Sequence, residues 1–76
     1  MIIIIKLIDN TNFSLEVEEN FTIMHIKEEI QIKKNINKYM QRLIFKGSPL
    51  SDELTLKELD IKNNSIVHLI LQLMYS

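Results

Sequence analysis

The sequence contains no cysteine, which excludes a disulfide framework, a thiolate metal site and a cysteine nucleophile together. It holds only two histidines, too few to suggest a metal centre when no thiolate can complete the ligand set. Long apolar runs are missing as well. Met1 to Ile5 is interrupted by Lys6, and Asp9, Asn10 and Asn12 follow soon after, far short of the ~20 residues of a membrane span. The same start lacks a basic segment and a small-residue cleavage site, so no signal peptide is expected and the cytoplasm or nucleus is the expected location. Nor is there an excess of one charge. A net charge of -1, with acidic and basic residues interleaved, supplies no extended field for nucleic acid or an anionic membrane and points to a protein partner. No repeat, low-complexity tract or linker divides the chain. Its 76 residues make one domain, near the lower size at which packing alone holds a fold together.

What is present is organised around Gln41 to Leu50, Gln-Arg-Leu-Ile-Phe-Lys-Gly-Ser-Pro-Leu. The first five residues alternate in character and their apolar members are branched or aromatic, which predicts a half-buried strand entering a turn at Gly47. If Leu43 faces the core, strand parity sends Arg42 and Ile44 to the other face and leaves an isoleucine in water. Pro49 cannot donate to a ladder, so any pairing after Gly47 is short or at an edge.

Before this stretch, isoleucine-rich Met1 to Leu7 predicts a strand. Asp9-Asn10-Thr11-Asn12 predicts a turn, with Asn10 able to take positive φ, and Phe13 to Val17 the returning strand of a hairpin. Thr22 is a candidate N-cap. The helix after it places Ile23, Ile26 and Ile30 on one arc, with Asn35 as its left-handed stop. Lys27 falls on the same arc and must snorkel to solvent or find a carboxylate, since an unpaired buried ammonium costs several kcal/mol. After Phe45, Leu54 to Leu59 suggests a single helical turn, Ile61 returns to the core, and Asn63-Asn64 turns the chain into a last strand from Ser65 to Leu73. Val67, Leu69 and Leu71 are expected inside and Ile66, His68, Ile70 and Gln72 outside. The order ββαβ, turn, β predicts an α+β domain with a mixed sheet of four or five strands curled over one helix.

These residues resemble ubiquitin over the whole chain: Leu15 to Glu18, Thr22-Ile23, Lys27, Ile30-Gln31, Ile36, Gln41 to Phe45 with Gly47 and Leu50, Thr55-Leu56, Ile61 and His68-Leu69. The resemblance implies a β-grasp roll. It also implies that Ile8, Ile44, His68 and Ile70 form an apolar recognition patch, rimmed by Arg42 and approached closely at Gly47. A second apolar surface is implied at Ile8, Ile36, Leu71 and Leu73, and a buried pair between Lys27 and Asp52.

The departures from ubiquitin fall at its C-terminus and at two of its lysine positions. Ubiquitin ends in two glycines whose carboxylate is activated for transfer; here Tyr75 and Ser76 hold those positions, and Gln72 replaces an arginine used by the activating enzyme. Ser48 and Asn63 stand where the lysines most used for chain building are expected, while Lys6, Lys27 and Lys33 match lysine positions. What the resemblance implies is therefore a ubiquitin-like domain over residues 1–76 that stays in a longer polypeptide as its N-terminal part. The expected molecule is a monomer without cofactor or catalytic residues, docking onto ubiquitin-associated domains, ubiquitin-interacting helices or proteasome receptor subunits. A covalent modifier and a regulatory domain of a ligase or deubiquitinase are the alternatives. Iron-sulfur and sulfur carriage, other roles of this fold, are excluded by the missing cysteines and terminal glycines.

Overall fold

Alternating burial builds the first strand. In the computed structural model, which describes residues 1–72, β1 (Ile2–Leu7) sends Ile3 and Ile5 fully into the core and leaves Ile2 40 % exposed and Ile4 half-buried. The turn at Asn10, with φ 70°, returns the chain as β2 (Asn12–Glu16), antiparallel to β1. The expected alternation holds across both strands.

The N-cap is Thr22, whose side chain accepts from the His25 amide at 3.1 Å, and α1 (Ile23–Lys34) ends at Asn35 with φ 56° in the left-handed region. Cap and stop are both where side-chain chemistry demands them. Ile23, Ile26, Lys27 and Ile30 form the buried face. A 3-10 turn (Lys38–Met40) leads into β3 (Gln41–Phe45). The reversal at Lys46 (φ 51°) and Gly47 (φ 81°) yields β4 (Ser48–Pro49), two residues at the sheet edge, as the proline requires. β5 (Ile66–Leu71) runs parallel to β1 and antiparallel to β3, giving the order β2-β1-β5-β3-β4. One helix packed on a mixed five-stranded sheet is a β-grasp roll.

The single turn expected over Leu54 to Leu59 is closed by the Leu59 amide donating to Thr55 O at 3.1 Å; Thr55 bridges to Thr22 and the Leu56 amide donates to Phe21 O at 3.0 Å, which ties the turn to the start of α1. Two expectations about local structure change. Leu71, expected inside by parity, is 48 % exposed because β5 there runs beyond the end of β1, whose pairing stops at Leu7 with Leu69. The last strand ends at Leu71; its expected last residue, Leu73, lies outside the described residues.

Candidate interaction surface

The middle of the outward sheet face is set by register. Lys6 on β1 stands opposite His68 on β5, and His68 opposite Ile44 on β3. One step along, Arg42 stands opposite Ile70. Lys6, His68 and Ile44 therefore form a row across three strands, with Ile70 and Arg42 beside it. Ile8 joins them from the turn after β1 and is 89 % exposed. That turn is held from within. The Leu7 amide donates to Thr11 O at 2.9 Å and the Asn10 amide to Leu7 O at 3.0 Å. The Asp9 carboxylate accepts from the Thr11 amide at 3.0 Å and its hydroxyl at 2.6 Å. The Thr11 hydroxyl, and then its amide, hold the Asp9 carboxyl below the usual carboxylate range.

Ile8, Ile44, Ile70, His68, Lys6 and Gly47, with Leu69 beneath, line one shallow depression of about 340 Å³. An adjoining one of about 320 Å³ lies between Leu7, Ile8, Asp9 and Leu69 to Leu71. Ile8, Leu69 and Ile70 belong to both. Arg42 and Lys46, two residues before and after Ile44, are exposed, and with Lys6 they add positive charge around the row.

Two of the predicted site residues are less free than expected, Ile44 from strand parity and Ile36 from the resemblance. Ile44 is half-buried and does not stand in open water, because β3 is an interior strand and Pro49 on one side and His68 on the other flank its side chain. Ile36 is also half-buried, packed on the core and not presented outward. The cause is Gln41, whose side-chain amide donates to both Lys27 O and Ile36 O at 3.0 Å and ties the connection down onto the helix. Of the implied second surface, Ile8 and Leu71 are exposed, Ile36 is turned inward, and Leu73 lies outside the described residues. Arg42, Gly47, His68 and Ile70 are exposed as expected.

Two contributors escaped sequence reading. Lys6 ends the first apolar run and matches a family lysine position, and strand parity places it outward with Ile2 and Ile4. Gln41 is 4 % exposed, and nothing in an amide side chain at the start of a strand announces that it will be buried. His25, in the first turn of α1, stacks on Phe21 with ring centroids 3.8 Å apart.

Behind the sheet, Lys27 Nζ meets Asp52 Oδ1 at 2.6 Å, and the Asp52 carbonyl accepts from the Met24 amide at 2.9 Å. The ammonium is buried, whereas the Asp52 side chain is 44 % exposed. Asp52→Asn should therefore destabilise the fold by about 1–3 kcal/mol, less than the loss of a fully enclosed pair because solvent screens this carboxylate. Lys27→Met, which removes the charge and keeps the stem, should cost less than Asp52→Asn. Urea denaturation of both variants checks the order, and an Asp52→Asn midpoint equal to that of the parent chain refutes it.

No group of three or more metal-ligating side chains occurs among the described residues. The comparisons with known proteins agree with the geometry. The model of the ubiquitin family matches residues 3–74. The NEDD8-like protein RUB3 of Arabidopsis thaliana is 36 % identical over 69 residues, covering 91 % of this chain and 88 % of that protein. The NEDD8-like protein RUB1 of Saccharomyces cerevisiae is 34 % identical over 73 residues, 96 % of this chain and 95 % of that one. The E3 ubiquitin-protein ligase parkin of Mus musculus is 29 % identical over 70 residues, 92 % of this chain but 15 % of the ligase.

Proposed function

Because the chain belongs to the ubiquitin family, we propose that it is a non-catalytic interaction domain of the ubiquitin-proteasome system, docking through Ile8, Arg42, Ile44, Gly47, His68 and Ile70. The observation that carries this proposal is the apolar depression where β1, β5 and β3 meet, with isoleucines on three sides of it. Its occupants are apolar helices of ubiquitin-associated domains, ubiquitin-interacting motifs or proteasome receptor subunits. Such a patch is small, and association entropy offsets much of what its burial yields. Affinity is therefore weak, with Kd on the order of 10 μM, or about -7 kcal/mol. Titrating the 15N-labelled domain with a three-helix ubiquitin-associated domain should move the amide signals of those six residues together. Shifts scattered over the surface, or none at millimolar partner, refute the docking site.

We further propose that the domain works in the cytoplasm or nucleus as part of a longer polypeptide and is not transferred to other proteins. The match to a small fraction of parkin supports residence within a larger chain, and with it a regulatory role in a ligase or deubiquitinase as a variant of the proposal. The stretch Gln72-Leu-Met-Tyr-Ser, which has no glycine, speaks against transfer. A covalent modifier is the second possibility, favoured by the nearly full-length match to NEDD8-like proteins. Incubation with ubiquitin-family activating enzymes and ATP separates the two: no thioester is expected, and a thioester that hydroxylamine cleaves would establish the modifier.

A further inference from the structure

The two edges of the sheet are protected differently. β4 is blunted by its two-residue length and by Pro49. β2 is five residues long and contains no proline. Its main-chain groups alternate in direction. Val17 N donates to Met1 O at 2.8 Å and the Met1 amine to Val17 O at 2.9 Å, while Leu7 N donates to Thr11 O at 2.9 Å. Odd-numbered residues of the hairpin thus bond to each other, and in an antiparallel pair the even-numbered ones turn their N–H and C=O groups the opposite way. On β1 this directs Ile4 N to Ser65 O at 2.9 Å. On β2 it directs the main-chain groups of Asn12, Ser14 and Glu16 to the open edge. At the centre of that row Lys33, from the last turn of α1, donates its ammonium to Ser14 O at 2.9 Å. Lys34 Nζ lies 4.8 Å from the centroid of the Phe13 ring.

We propose that the β2 edge is a latent strand-pairing site for a second copy of this chain and that Lys33 keeps it closed. The register is self-complementary. A two-fold axis at Ser14 sets Ser14 against Ser14 of the second copy and Asn12 against Glu16 of the second copy. All three residues present both main-chain groups to the edge, so each opposed pair exchanges two hydrogen bonds. No like charges stand directly opposite in this pairing. What prevents it is the ammonium on the central acceptor, which the symmetry would bring close to its own copy; a lysine reaching over an exposed edge is a recognised guard against sheet extension. A neutral side chain at position 33 frees Ser14 O and removes the repulsion together.

The test compares the parent chain with Lys33→Ala, Lys33→Arg and Lys33→Ala/Ser14→Pro by sedimentation equilibrium and amide hydrogen exchange. Lys33→Ala should dimerise with Kd on the order of 100 μM, with exchange at Ser14 and Glu16 slowed about tenfold at high concentration. The parent and Lys33→Arg should stay monomeric. Adding Ser14→Pro removes the central N–H, which the fold itself does not use, and should restore the monomer. Circular dichroism establishes that each variant is folded. A monomeric Lys33→Ala, a parent chain that dimerises equally well, or association that survives Ser14→Pro each overturns the proposal.

Discussion

Ile44→Ala should weaken docking of an apolar helix about thirtyfold, moving Kd from about 10 μM to about 300 μM, a loss of about 2 kcal/mol in the range of interface hot spots. The side chain sits between Pro49 and His68 and lines the depression with Ile8 and Ile70. Truncation removes the apolar surface a partner covers and hollows the floor on which that partner rests. Since Ile44 is already half-buried within the chain, the variant also loses some internal packing, about 1 kcal/mol, less than for a fully enclosed isoleucine. The domain should stay folded at 25 °C, with dispersed amide signals. Titration calorimetry gives the affinity and thermal melting the stability. Affinity within twofold of the parent, in a folded variant, rules the docking site out.

Ile30→Ala should have the largest effect on the fold itself. Ile30 is fully buried at the centre of the helix face that meets the sheet. Losing it combines the transfer term with a cavity, about 2–5 kcal/mol. A chain of 76 residues has a total stability of only about 4–11 kcal/mol. The melting temperature should fall by about 15–25 °C. Ile32→Ala, two residues away on the same helix, is the matched control. Ile32 is 79 % exposed, and its truncation should change stability by no more than about 0.5 kcal/mol. Comparable losses at the two positions would mean that the helix face has been assigned wrongly.

The contrast between these two isoleucines shows what was legible. Period 3.6 places Ile23, Ile26 and Ile30 together, and burial follows that arc, with Ile32 on the exposed side of the helix. Lys27 violates the pattern, which leaves it to snorkel or to pair; the resemblance names Asp52, and the pair is formed. Thr22, Asn10, Asn35 and Gly47 were legible because caps and positive-φ turns depend on a residue's own chemistry. Gln41 was not, because its burial depends on two carbonyls, from Lys27 and Ile36, that are adjacent only after the chain has folded.

The sequence by itself determined which residues point into the core and which point away, since strand and helix periods act over a few neighbours. It therefore fixed the outward parity of Ile44, His68 and Ile70 before any strand was paired. Tertiary structure alone decided how far each of them is exposed. Pro49 and His68 flank Ile44, the Gln41 amide draws Ile36 inward, and Leu71 passes beyond its neighbouring strand. Lys33 reaches the edge of β2 in the same way, across a span of sequence that no local pattern records. Direction is a property of the backbone around one residue, whereas coverage depends on which distant segments arrive beside it.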